Sequence, residues 1–213
     1  MKFAQVVGVV GDEPVFETGL LLAGDVDPAD VRRQLSRWVR AGRLHQLRRG
    51  LYALVPPFQK VNPHPFLIAN RLVRGSYVSL QSALAYYGLI PEHVPVVTSV
   101  TTAKPGRWDT PLGSYAFRHI KPDLLYGYRL TELGAGQNAF IATSEKSLLD
   151  LVYLQPGGDK WDYLQELRLQ NLDGLNLSEL RRLADRAASP KLQRAAVQIA
   201  ALAHAETLEY ETL

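Results

Sequence analysis

The chain of 213 residues has no cysteine, which excludes disulfides and thiolate metal sites. No apolar run approaches the roughly 18 residues that a membrane span requires. The opening MKFAQVVGVVGDEPVF holds one lysine and a short apolar run that ends in acids. It lacks the small-residue cleavage site of a secretory signal, so the expected compartment is the cytoplasm. Residue groupings that signal enzymes are missing too. His45, His64, His93, His119 and His204 form no i, i+4 pair and no His-x-His, so metal ligation is not expected. Pro122-Asp123 offers a first acid for a restriction-type nuclease, but no Asp-x-Lys or Glu-x-Lys follows to complete the metal site. Gly134-Ala-Gly136 lacks the third glycine of a dinucleotide fingerprint, and no Walker-type lysine occurs. The expectation is a protein that is not an enzyme and needs no cofactor.

What is present is a sizeable apolar fraction, 46% of the residues, enough for one large domain or two small ones. The net charge is only +3, but it is unevenly placed. Residues 1–27 carry one lysine against five acids, and residues 28–49 carry seven arginines against the single acid Asp30. From residue 50 onward sixteen bases meet fifteen acids. No glutamate lies between Pro28 and Val55 to balance the arginines. A local excess of this kind points to a polyanionic partner rather than to a fold.

The pattern around that charge predicts helix over Lys2–Val10, an extended link at Pro14–Glu17, and a two-turn helix from Thr18, its cap, to Gly24, its stop. A turn at Asp25–Asp27 then leads into a helix with Asp27 as cap, Pro28 in the first position and Asp30 in the first turn. Val31, Leu35, Trp38 and Val39 share one apolar arc of about 100°, and Gly42 closes the helix. The polar side carries Arg32, Arg33, Ser36, Arg37 and Arg40. RLHQLRRGLYALV reads as two strands about a turn at Arg48-Arg49-Gly50. Helix, short helix, basic helix and basic hairpin make a winged helix-turn-helix over residues 1–57, whose second helix enters the major groove of duplex DNA. The expected contacts are Arg32, Arg33, Ser36, Arg37 and Arg40 on the groove, with His45, Arg48 and Arg49 on phosphates. The alternatives are a solvated basic face and an acidic protein partner.

VPPFQKVNPHP, with its four prolines, reads as a linker, and the second domain is expected over residues 60–213. Helices are predicted at Pro65–Val73, at 79–91 from a Ser79 cap to a stop at Gly88, and at 143–154 from a Thr143 cap. Glu145-Lys146 is read as a helix start rather than a catalytic pair. Between the second and third helices, PVVTSVTT, SYAFRHI, YGYRLTEL and NAFIAT read as short strands of an antiparallel sheet, because their connections are short. Helices follow at Asp162–Gln170, from a capping box at Asn176 and Glu179, and from Ser189-Pro190. The loop KPGRWDTPLG offers Lys104, Arg107 and Trp108 as a protein contact, with Trp108 folded onto the sheet as the alternative. Tyr86, Tyr87, Tyr126 and Tyr128 are read as core aromatics, with base stacking as the alternative. The fold class is α+β.

Three segments, RRGLYAL, SLQSALAYYGLIP and ATSEKSLLDLVYL, in this order and spacing resemble the AbiEi-type antitoxins of bacterial abortive-infection systems. The matching positions are Arg49, Gly50 and Tyr52; Ser82, Ala83, Leu84, Gly88 and Leu89; and Thr143, Glu145 and Lys146. The resemblance covers most of residues 15–155 and, more loosely, the C-terminal helices. Ser144 departs from the proline that the family's last motif commonly has. The resemblance implies a bacterial transcriptional repressor that binds promoter repeats and autoregulates its operon. It also implies an antitoxin in phage defence, opposing a nucleotidyltransferase-like toxin encoded next door. The rival functions are a metal-dependent nuclease and a stand-alone regulator that responds to a small ligand.

Overall fold

A computed structural model describes residues 1–23 and 26–211, apart from the side chains of 207–211. Val6 and Val10, one turn apart on α1 (Phe3–Val10), are buried, and Gly11 ends the helix with a φ of 58°. The chain then extends through β1 (Phe16–Glu17) into a 3-10 helix, Thr18–Leu22, in place of the expected two-turn α-helix. Thr18 does not cap it, because Glu17 occupies the cap position and makes no side-chain cap bond. The expected stop at Gly24, and Asp25 of the expected turn, lie outside the described residues. Asp27 caps α2 (Pro28–Arg40) as its sequence predicts, with its Oδ1 accepting from the Ala29 N–H at 2.9 Å. β2 (Leu44–Arg48) and β3 (Leu51–Leu54) form a hairpin across Arg49-Gly50, where Gly50 takes a φ of +83° that side-chain-bearing residues rarely adopt. β1 pairs antiparallel with β3, giving a three-stranded sheet in the order β1-β3-β2.

One apolar cluster holds this unit together: Val6, Val10, Phe16, Leu21, Val31, Leu35, Leu44, Tyr52 and Leu54. Phe58, in the proline-rich stretch, packs edge-on against Phe3 at 4.9 Å. The stretch expected to be a linker is thus fastened on both sides. Lys60 pairs with Asp12 at 3.1 Å, and the Gln137 side chain accepts from the His64 N–H and donates to the Asn62 carbonyl.

The remaining chain builds α3 (Pro65–Leu72), β4 (Ser76–Val78), α4 (Leu80–Tyr86), β5 (Val96–Thr101), β6 (Gly106–Thr110), β7 (Gly113–His119), β8 (Tyr128–Glu132), β9 (Asn138–Ala142), α5 (Ser144–Leu154), α6 (Trp161–Glu166), α7 (Leu177–Arg186) and α8 (Pro190–Glu211). Short 3-10 turns at Pro122–Leu124 and Leu172–Gly174 join them. The sheet runs β6-β7-β5-β4-β9-β8. It is mixed, which corrects the antiparallel expectation. β5 pairs parallel with β7, and β4 with β9. Short connections suffice because β6 returns along the sheet edge and β7 fills the place between β6 and β5. KPGRWDTPLG is therefore strand β6 and its turn, not a loop.

Alternation along the strands divides the core. Tyr77, Val100, Ala142 and Ile120 face α4, α5, α7 and α8, while Val78, Ile141, Tyr115 and Phe117 face α3. The second of these clusters also takes in Val15, Leu47, Leu51 and Ala53 from the N-terminal unit. The two halves therefore share a core. Among the described residues, no helix is long and apolar enough to cross a membrane.

This shared core has a measurable consequence. Leu51 is 0% exposed, and Leu51→Ala is expected to cost about 2–5 kcal/mol. The loss should lower one thermal transition that far-UV circular dichroism and tryptophan fluorescence follow together. Two separated transitions would contradict the interlock.

Candidate nucleic-acid interface

α2 shows one apolar and one basic side. At 3.6 residues per turn, Arg32, Ser36, Arg40, Arg33 and Arg37 span about 140° of the helix surface, and all five are exposed. Val31 and Leu35 on the opposite side are buried. The guanidinium groups of Arg32, Arg37 and Arg40 make no ion pair or hydrogen bond among the described residues, and neither does that of Arg49 at the hairpin turn. Arg33 differs. Its Nη2 lies 3.4 Å from Asp30 and 3.9 Å from Asp27, both exposed, so those pairs contribute little. His45 is half-buried on β2, opposite Ala53. Arg43 carries charge in the same stretch but went without a role in the sequence reading; it is exposed, with its guanidinium 5.2 Å from the Phe3 ring centre.

Arg48 is engaged within the chain. Its Nε and Nη2 donate to the Arg71 carbonyl at 3.4 and 3.2 Å, its Nη1 donates to the Arg49 carbonyl at 3.3 Å, and Glu17 lies 3.9 Å away. Arg74 donates to both oxygens of Glu17, each at 2.7 Å. The three-stranded sheet is thus tied to the C-terminal end of α3 through Glu17, Arg48 and Arg74. The Arg74 hydrogen bond, opposed by partial desolvation and helped by the charges of Arg74, Arg48 and Arg71, holds the Glu17 carboxyl below its ordinary value of 4.5.

Lys104 is exposed, and exposed Arg107 pairs with Asp109 at 3.4 Å. Trp108 is only half-exposed. It packs edge-on against Phe117 at 5.0 Å, and its ring covers Gly106 so closely that an added Cβ would stand 2.9 Å away. The indole therefore belongs to the sheet surface and leaves Lys104 and Arg107 outside. Tyr86, Tyr87, Tyr126 and Tyr128 do not form one platform. Tyr126 is buried and donates to the Leu183 carbonyl at 2.8 Å, and Tyr87 donates to the Ala142 carbonyl at 3.0 Å. Tyr128 instead stacks on Tyr77, with centroids 4.5 Å apart and planes at 17°.

A buried polar cluster escaped the sequence reading. Asp150 is 1% exposed and accepts from Lys146 Nζ, from Ser79 Oγ at 2.7 Å and from the Tyr77 hydroxyl at 3.0 Å. Burial raises the Asp150 carboxyl above its usual range, and Lys146 with the two hydroxyls opposes that rise. Burial and the Asp150 charge likewise raise the Tyr77 phenol. The available signal was the i, i+4 spacing of Lys146 and Asp150, the latter set in the apolar run Leu148–Leu154. Among the described residues, no three His, Asp or Glu side chains gather as a metal-binding group. A scan of protein-family models finds no match to the chain, and a search of curated proteins finds none either.

The Glu17 junction generates a pH prediction. A carboxyl whose folded pKa is depressed contributes stability above its unfolded pKa and loses it as pH falls through the folded one. Glu17→Gln should therefore melt below the parent at neutral pH, by an amount within the ~0.2–1 kcal/mol of exposed pairs. The gap should close as pH falls well below 4.5. A gap that stays constant down to strong acid would show that the Glu17 charge does not tie the sheet to α3.

Proposed function

We propose that the chain is a DNA-binding transcription regulator, with its N-terminal unit acting as a winged helix-turn-helix. The order of α1, β1, 3-10 helix, α2 and hairpin, with sheet order β1-β3-β2, supports this reading. The observation that carries it is the unpaired state of Arg32, Arg37, Arg40 and Arg49 among the described residues. Guanidinium forks with nothing to bind among the described residues suit phosphate oxygens and guanine edges, each of which accepts two parallel bonds. α2 lies in the major groove, with Arg32, Ser36, Arg37 and Arg40 toward the bases and adjoining phosphates. Arg49 at the hairpin turn meets the backbone, and His45, farther back on β2, is a second contact with it. Arg33 adds to the contact after leaving its weak pairs with Asp27 and Asp30. Arg48 is assigned a positioning role, because its fork already bonds the Arg71 and Arg49 carbonyls.

The resemblance to AbiEi-type antitoxins extends the proposal to autoregulation of an operon and to opposition of a nucleotidyltransferase-like toxin. The exposed Lys104 and Arg107 beside the sheet edge belong to that second role. Co-expression with the product of the adjacent gene should restore growth that the product alone arrests. Growth arrest that persists despite comparable expression would remove the antitoxin half and leave the regulator.

DNA binding is tested by salt dependence. If Arg32, Arg37, Arg40 and Arg49 each neutralise a phosphate, log K should fall against log salt with a slope of about −4, and each alanine substitution should reduce that slope by about 0.9. An arginine that reads a base instead costs about 1–3 kcal/mol at that position. Arg48→Ala should lower the melting temperature and leave the slope close to the parent's. Duplex binding that survives loss of all four unpaired arginines would overturn the assignment.

A further inference from the structure

β4 and β9 pair only at Val78 and Ile141. Beyond that point the sheet leaves a cleft of about 440 Å³ between the last turns of α3, the start of β4 and the strands β8 and β9. Its size lies within the roughly 300–1,000 Å³ typical of small-molecule sites. Three of the large exposed apolar side chains gather here: Tyr128, Leu130 and Phe140, at 37%, 59% and 43% exposure. Tyr128 stacks on Tyr77 and meets Phe140 edge-on at 5.7 Å. Tyr77 cannot turn away, because Asp150 and Lys146 hold its hydroxyl. The aromatic wall is therefore pre-arranged.

The opposite wall is cationic and rich in donors. Arg71 is exposed and its guanidinium makes no ion pair among the described residues. Arg74 and Arg48 share the single carboxylate of Glu17, so this corner keeps a surplus of two positive charges. Asn70 accepts from the Phe140 N–H at 2.6 Å, while its own buried amide nitrogen has no hydrogen-bond partner. Asn138 supplies a second amide across the cleft.

We infer that this cleft binds a nucleotide, its base against the Tyr128 and Phe140 rings and its phosphate on Arg71. Aromatic rings accept any base through its π-face, and a guanidinium adds the charge-assisted bonds a phosphate needs. Bases inside a duplex are already stacked, so the ligand is a free nucleotide or a nucleotide of a single strand, not the duplex proposed for α2. The site joins the basic unit at the Arg71 carbonyl, where Arg48 bonds, and at Arg74, which holds Glu17.

Calorimetric titration of the full chain with the four common mononucleotides, adenosine, inorganic phosphate and a single-stranded hexanucleotide tests the inference without duplex DNA. Its outcome is thus independent of the regulator proposal. A nucleotide should bind at least about tenfold more tightly than adenosine or phosphate alone, and Tyr128→Ala and Arg71→Ala should each weaken it about tenfold. Arg71→Ala keeps the carbonyl that Arg48 uses, and Tyr128 is exposed, so unchanged circular dichroism spectra should accompany the loss. Tighter binding of the hexanucleotide would assign the site to single strands, and tighter binding of a mononucleotide to free nucleotides. No binding of either at about 5 mM, or binding that both substitutions leave intact, would overturn the inference.

Discussion

The carboxylate of Asp150 organises the larger part of the molecule. An isolated ion in the interior costs several kcal/mol, and the cost is met only when good geometry surrounds it. Here the partners come from separate elements: Lys146 one turn earlier on α5, Tyr77 from β4, and Ser79 from the junction of β4 and α4. Reaching it shapes the local backbone at two places. Ser79 does not cap α4, because its hydroxyl points to Asp150, and the next residue, Leu80, takes a φ of 58°. Gly127, at a φ of +72°, leaves room for the Lys146 stem, whose carbons would stand 3.0–3.1 Å from any added Cβ. One buried charge thereby sets the positions of β4, α4, α5 and the chain entering β8. It also fixes the plane on which Tyr128 stacks, so the geometry of the cleft descends from it.

A second constraint decides which arginines of the N-terminal unit remain at the surface without an ion pair or hydrogen bond among the described residues. The N-terminal unit shares a core with α3 through Leu47, Leu51 and Ala53, and the junction is sealed by Arg48 and by Arg74 on Glu17. That leaves Arg32, Arg37, Arg40 and Arg49. Arg37 faces Arg33 and Arg40 at i−4 and i+3, and like charges at those spacings destabilise a helix by about 0.2–0.5 kcal/mol each. The last-turn position of Arg37 and Arg40 recovers part of this through the helix dipole. Arg32 has no charged residue at those spacings, and Arg49 lies outside the helix. A cluster kept at a cost to its own helix is easier to understand as serving a contact than as serving the fold.

Much of this was legible from residue order. Caps and stops located α2, α5, α7 and α8, because Asp27, Pro28, Thr143, Asn176 and Pro190 act locally. The hairpin followed from Arg49-Gly50. Non-local competition was not legible. Ser79 has the chemistry of a cap but is claimed by a residue 71 positions away. The Asn176 capping box lost one half in the same way: Glu179 turns to Arg182, and Glu145 accepts from the Asn176 N–H instead. The mixed sheet was hidden because short connections suit antiparallel neighbours equally well until one knows that β6 runs outside β7. In the candidate interface, exposure of the α2 arginines was readable from the helical arc. The capture of Arg48 was not, since its acceptor is a main-chain carbonyl with no signature in the sequence.

The same distinction bears on the motifs from which the AbiEi-type resemblance is proposed. Gly50 makes the hairpin turn, and Tyr52 packs under it beside Phe16. Ser82 bonds the Val96 carbonyl and the Thr98 N–H, which fastens α4 to β5. Gly88 ends α4 with a φ of +69° while its carbonyl accepts from Asn171. Thr143 caps α5, Glu145 serves the start of α7, and Lys146 neutralises Asp150. Apart from Arg49, these positions hold the fold and offer nothing to a partner. A likeness proposed from such residues speaks of architecture alone, and it would persist in a protein whose surface had changed its function. What the fold leaves for a partner is the side chains it does not use: four guanidinium groups on one unit, unpaired among the described residues, and an aromatic wall facing Arg71 on the other.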